Sequence, residues 1–157
     1  MTAAGTKRVS LAALICTQPG RRPRLIYRTH ADRGPRTGRR KGFNEAGYAR
    51  LLDAAHQQLG GPIVLVWDNL NTHRSARMRR LVTARPWLSV YQLPSYAPEL
   101  NPVEGVWSNL KRSLANLAKH GLDQLTGLIK TRLRRMRYRP GLIEGYLAKT
   151  GLDFAPP

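Results

Sequence analysis

Acidic residues are scarce in this chain: nine Asp and Glu stand against 27 Lys and Arg, leaving a formal net charge of +18. Such an excess on a folded chain concentrates polyanions around it. It points to a nucleic-acid partner, with an anionic membrane surface or an RNA-coated housekeeping protein as the bland alternatives. Cysteine is nearly absent as well. Cys16 alone excludes an internal disulfide and fits a reducing, intracellular compartment. It lies inside an apolar run, so an inert buried thiol is expected rather than a nucleophile. No apolar run approaches the roughly 18 residues a membrane span requires, so no membrane partner is expected. The short run Val9 to Ile15 follows Lys7-Arg8 as a signal peptide would. Cys16-Thr17-Gln18-Pro19 after it is a poor cleavage site, and the run reads as a strand. Internal repeats and clear domain boundaries are missing too. What remains is a chain of 157 residues, 41% hydrophobic, enough for one domain with its own core.

Periodicity supplies the elements. Arg8–Thr17 and Arg24–Thr29 are short β-rich runs separated by Pro19-Gly20, which reads as a hairpin. His30–Gly42 follows as a Gly, Pro and Arg-rich loop with five cations between Arg33 and Lys41, either a solvated loop or a phosphate contact. In Phe43–Leu59 the residues Tyr48, Leu51, Leu52, Ala55 and Leu59 fall on one helical face, with Asn44 as N-cap and Gly60-Gly61 as the stop. Pro62–Trp67 is continuously apolar and predicts a strand buried on both faces. Thr72–Ala84 reads as a helix capped by Thr72, Trp87–Leu93 as a strand, and Pro94–Leu100 as a loop. Asn101–His120 reads as a helix and Leu122–Tyr138 as an amphipathic one. The last has Leu122, Leu125, Ile129, Leu133 and Met136 along one stripe, with Lys130, Arg132, Arg134, Arg135 and Arg137 opposite. The order β-β-α-β-α-β-α is an α/β pattern, a mixed sheet with flanking helices. Residues 1–157 form a single domain on this reading, with 121–157 a helical tail.

Two carboxylates stand out. Asp68 ends the continuous strand, at the kind of sheet edge where ligands collect in open α/β folds. Glu104 opens the helix after the next strand. Cutting or joining a phosphodiester builds charge on the attacking and leaving oxygens, and two Mg²⁺ ions roughly 3.5–4 Å apart stabilise both. Structural roles compete with that chemistry. Asp68-Asn69 also suits a turn. Asn101 as N-cap, Pro102 at the first helical position and Glu104 two residues on form a capping-box-like start.

The segments Trp67-Asp68-Asn69-Leu70-Asn71-Thr72-His73 and Leu93-Pro94-Ser95-Tyr96-Ala97-Pro98-Glu99-Leu100-Asn101-Pro102-Val103-Glu104-Gly105-Val106-Trp107, with Lys111 beyond, resemble the second and third signature blocks of DDE transposases. The similarity is to insertion-sequence transposases of the mariner superfamily, and it covers about Lys7 to Ala118. The resemblance implies a ribonuclease-H-like fold, with Mg²⁺- or Mn²⁺-dependent cutting and joining of DNA at transposon ends. Asp68 then matches the second metal-binding acid and Glu104 the third. Asn69, His73, Asn101 and Pro102 match motif positions with orienting roles at most, and a surface helix-start position is the competing reading of His73. Trp67 and Trp107 are assigned to core packing. Arg36, Arg39, Arg40, Lys41, Arg74, Arg77, Lys111 and Arg112 are the candidate DNA contacts.

The chain also departs from that pattern. The first acid belongs on a strand just before the hairpin, yet Met1–Thr6 hold no carboxylate, and Asp32, beyond the second strand, is a poor substitute. The first, central strand of the sheet is therefore expected to be missing, leaving two unpaired edges. The helix-turn-helix usual upstream in this family is expected to be missing from this polypeptide too. Two readings follow: one piece of a transposase completed by an upstream polypeptide and oligomeric when active, or a catalytically inactive basic DNA-binding remnant. A different ribonuclease-H-like nuclease or an RNA-binding protein is a third reading, against which the long second block argues.

Overall fold

The computed structural model describes residues 8–32, 43–114 and 121–153. The hairpin forms as the alternation requires. β1 (Arg8–Cys16) and β2 (Arg24–Asp32) pair antiparallel, from Arg8 opposite Asp32 to Cys16 opposite Arg24. β2 thus runs through His30, Ala31 and Asp32, which the sequence reading placed beyond the strand in the following loop. Its two faces meet different helices. Ala12 and Ile26 join Leu51 and Ala55 of α1 (Glu45–Leu59), with Leu14 and Cys16 alongside. Leu25, Leu11, Ala13 and Tyr27 pack instead on a helical layer described below. α1 is bounded as its sequence predicts: Asn44 Oδ1 accepts from the Gly47 N–H at 2.8 Å, and Gly60 closes the helix at φ +72°.

β3 (Ile63–Trp67) and β4 (Leu88–Gln92) pair in parallel, Ile63 opposite Leu88 and Trp67 opposite Gln92. One face packs on α1 and α3 (Ala76–Thr83), where Leu65, Trp67, Leu88, Leu52 and Met78 form a buried cluster. The opposite face is bare, with Val64 68%, Val66 53% and Tyr91 63% exposed. β3 is therefore not buried on both faces, because no described element covers that side. Continuous apolarity marks what the strand can bury, not what lies on it. The two strand pairs are separate two-stranded sheets with no hydrogen-bonded link between them. They are joined only through side chains: Leu14 of β1 packs on the β3–β4 cluster and Ile63 of β3 on the hairpin cluster.

The helix expected over Thr72–Ala84 is broken in two. α2 (Asn71–Arg74) is a single turn without a side-chain cap, and α3 restarts after Ser75. Ser75 rather than Thr72 is the working cap, its Oγ accepting from the Met78 N–H at 3.1 Å. After β4 comes a 3₁₀ turn, Pro98–Leu100, and then α4 (Val103–Leu114). α5 (Leu122–Arg137) follows, its Ile129, Leu133 and Met136 buried against Leu25 as the stripe predicts. A further helix, α6 (Pro140–Lys149), starts on a proline and contributes Ile143 to the same cluster. α4, α5 and α6 are thus the layer on the outer face of the hairpin.

Candidate active site around Asp68

β3 and β4 end side by side, and their ends are tied together. Asn69 Nδ2 donates to the Leu93 carbonyl at 2.8 Å, fixing the residue after Asp68 to the residue that opens the proline loop. Leu93 N–H in turn donates to the Trp67 carbonyl at 2.7 Å. Asp68 leaves the sheet at this junction with its side chain 53% exposed. Its Oδ1 accepts from the Leu70 N–H at 3.2 Å, so the turn role and an open carboxylate coexist.

His73 is not a surface residue. Its ring is 10% exposed and lies flat on Trp67, with centroids 4.0 Å apart and planes 4° apart. Tyr48 meets it edge-on at 4.8 Å. This clamp aims Nδ1 at Asp68, 3.1 Å from Oδ1 and 3.2 Å from the carbonyl oxygen. A proton on Nδ1 satisfies both acceptors, which assigns the tautomer. Burial holds the imidazole pKa below its ordinary 6.5, against the opposing pull of Asp68. His73 Nε2 and Trp67 Nε1 are buried without a partner among the described residues. The edge contact with His73 puts Tyr48 at the site as well, and burial followed by the Asp68 charge pushes its hydroxyl toward higher pKa.

Glu104 sits in the first turn of α4, exposed. The reciprocal capping bond expected of it is not available. The Asn101 N–H donates to the Pro98 carbonyl at 3.0 Å, while Asn101 Oδ1 accepts from the Val103 N–H at 3.1 Å. Asn101 caps the helix alone. In the loop before it, Tyr96 takes a left-handed φ of +59° with its side chain fully in solvent, a backbone conformation unfavourable for a residue with a Cβ.

Beside Asp68 an open polar cleft of about 550 Å³ is lined by Asn71, His73, Arg74, Arg79 and Gln92. Arg79 and Gln92 were not among the candidates from sequence. Gln92 was findable, because it is the residue opposite Trp67 once the strands are set parallel. Arg79 lies on α3, which restarts after Ser75, a break that no periodicity signals. Arg77, Lys111 and Arg112 are exposed, whereas Arg36, Arg39, Arg40 and Lys41 lie outside the described residues.

Residues 35–126, more than half of the chain and spanning both acids, match the model of the DDE superfamily endonuclease family. The chain belongs to that family. The fold agrees with the membership. Against the catalytic domain of Mos1 transposase with raltegravir and manganese the TM-score is 0.56 at 15% identity, covering 93% of this chain and 84% of that one. The catalytic domain of Mos1 mariner transposase gives 0.52 at 14%, with 93% and 83% covered, and the form with raltegravir and magnesium 0.53 at 14%, with 93% and 84%. Comparison with curated proteins gives no match. This DDE-family chain therefore has the mixed α/β architecture of a transposase catalytic domain.

Its donor set suits a hard divalent cation in kind. Both carboxylates are exposed, and no Lys or Arg among the described residues neutralises either. One Mg²⁺ is commonly held by one or two carboxylates together with water and substrate phosphates. Among the described residues no group of three or more His, Cys, Asp or Glu is placed to hold a metal ion. In kind and number the two carboxylates suit one ion, and they are too few for two.

Proposed function

We propose that this chain carries out Mg²⁺-dependent DNA strand cleavage and strand transfer at transposon ends, as one piece of a larger catalytic assembly. The observation that carries the reading is the Asp68 junction: a carboxylate held open at the end of a strand, braced by a buried histidine, beside a cleft lined by two arginines. A bound Mg²⁺ or Mn²⁺ would supply Lewis acidity to the scissile phosphate, with Asp68 and Glu104 as its protein ligands. Arg74 and Arg79 would draw the DNA backbone into the cleft, and Asn69 and His73 would hold Asp68 in place. Arg77, Lys111 and Arg112 would extend the contact, as would Arg36, Arg39, Arg40 and Lys41.

The assembly is the second half of the proposal. Among the described residues the two sheets share side-chain clusters but no hydrogen bonds, and β1 and β3 are each paired on one side only. That arrangement supports a strand from an upstream polypeptide or segment, seated between β1 and β3 and bringing a third carboxylate. A homo-oligomer in an intracellular, DNA-associated setting completes the picture; no helix among the described residues is long and apolar enough to cross a membrane.

The test is nicking of supercoiled DNA with and without Mg²⁺, by the chain alone and joined to the segment encoded immediately upstream at its locus. The joined protein is expected to nick only with Mg²⁺, and Asp68→Asn or Glu104→Gln to abolish nicking while leaving DNA binding nearly intact. Nicking that survives either substitution removes that residue from the site. The short metal-donor set favours one alternative, an inactive DNA-binding remnant. A joined protein that binds DNA without nicking would establish it.

A further inference from the structure

We infer that the cleft between β2 and α5 is a second seat for the backbone of duplex DNA, built from residues the acidic site does not use. It is open, about 410 Å³, and lined by Tyr27, Arg28 and Thr29 of β2 and Lys130, Thr131 and Arg134 of α5. None of these belongs to β3, β4, α2 or α4, the elements that carry Asp68, Glu104 and their surroundings.

The sequence puts the cations there for a definite reason. Burial of Ile129, Leu133 and Met136 fixes the rotation of α5 about its axis. Lys130, Arg134 and Arg137, at steps of four and three, then emerge together on the flank beside β2. Arg137 closes the row, its Cζ 5.7 Å from the Tyr27 ring centre and 5.1 Å from that of Tyr138. Like charges four apart on a helix repel one another. No carboxylate among the described residues pairs with Arg28, Lys130 or Arg134. Elsewhere such pairs exist, Arg22 with Glu144 and Arg85 with Asp53. The Tyr138 hydroxyl registers the resulting potential, its pKa lowered by its hydrogen bond to Arg137 and by the Arg137 and Arg134 charges.

A row of unneutralised cations fits a row of anions. From Lys130 to Arg137 the helix rises about 10 Å, a length over which one DNA strand presents about three phosphate charges, at about 3.4 Å of duplex axis each. Threonine hydroxyls and a tyrosine face complete a lining suited to phosphate and sugar. Such groups position a duplex without reading its bases. The inference rests on the nucleic-acid reading of the chain and not on catalysis.

The experiment is anisotropy titration of a short labelled duplex between about 50 and 200 mM salt. Arg28→Gln, Lys130→Gln and Arg134→Gln combined are compared with an equal charge loss at exposed Arg21, Arg50 and Arg135. Every cation that stops neutralising a phosphate reduces the slope of log K against log salt by about 0.9. The cleft triple is therefore expected to lower it by about 2–3 while the control triple leaves it nearly unchanged. Arg28→Lys with Arg134→Lys, which keeps the charge, should hold the parent slope. Equal loss in both triples overturns the cleft, because overall charge then accounts for the attraction. An unchanged DNA slope with lost binding to phosphatidylserine vesicles overturns it in favour of a membrane surface. Absence of salt-dependent DNA binding by the parent would sink the nucleic-acid reading itself, whatever nicking assays show.

Discussion

At Glu104 the local pattern and the local chemistry part company. Asn101-Pro102-Val103-Glu104 is spelled like a capping box, yet the Pro98 carbonyl takes the N–H that the glutamate would have served. Sequence spacing could not reveal that competition, because it depends on the 3₁₀ turn just upstream. Glu104→Ala, which removes any capping group, is therefore expected to change unfolding free energy by no more than about 0.5 kcal/mol, the range for exposed positions. A denaturant melt showing a loss near 2 kcal/mol would restore a structural role. The next residue behaves oppositely. A Cβ on Gly105 would stand 2.7 Å from Tyr146 Cγ, so the glycine is what lets α6 lie close on α4. Gly105→Ala should cost about 1–3 kcal/mol, as overpacking does, and a melt unchanged from the parent would show that the Tyr146 ring yields freely. His73 was legible as a motif position but not as a buried ring, since the Trp67 stack joins a strand end to the helix turn after it.

Elements were legible where caps and periodicity agreed, as in α1 with Asn44 and Gly60, or in α5 with its stripe. They were misread where two helices abut. Nothing in Thr72–Ala84 forbids one continuous helix; the break at Ser75 shows itself only in a hydroxyl capping Met78. Ser75→Ala should destabilise by about 1 kcal/mol, whereas Thr72→Ala should not, and equal losses in thermal melts would mean the cap was wrongly assigned. Between elements, Arg85 forks onto Asp53 at 2.7 and 2.8 Å and fastens the turn before β4 to α1. The hydrogen bond to Arg85 lowers the Asp53 pKa below 3.8. Its contribution is therefore fully present above about pH 3.8 and is lost as pH falls through the lower folded value. With the Asp53 side chain 45% exposed, a screened pair contributes up to about 1 kcal/mol. The stability gap between the parent and Asp53→Asn should close in acid; a gap constant from neutral pH to well below pH 3.8 would contradict the pairing.

For the whole molecule, the strands and helices could be read from sequence but their union could not. Two separated sheets arise because pairing depends on which edges meet, and the edges carry no letter in the sequence. The same separation leaves Val64, Val66 and Tyr91 in solvent beside an unpaired edge, an arrangement prone to association. The chain alone should self-associate with rising concentration in light scattering, and Val66→Lys should suppress it. A monomer at every concentration would show that the bare face is tolerated in water.

The ring stack beneath Asp68 also gives the site an optical voice. Indole emission responds to an imidazole in van der Waals contact and to charge nearby, and Trp67 lies flat on the very ring that grips the carboxylate. Trp87 is stacked on His56 in the same manner, at 4.0 Å and 5°. With Trp87 and Trp107 both replaced by Phe, the colour and yield of the remaining light become a label-free record of what arrives at Asp68.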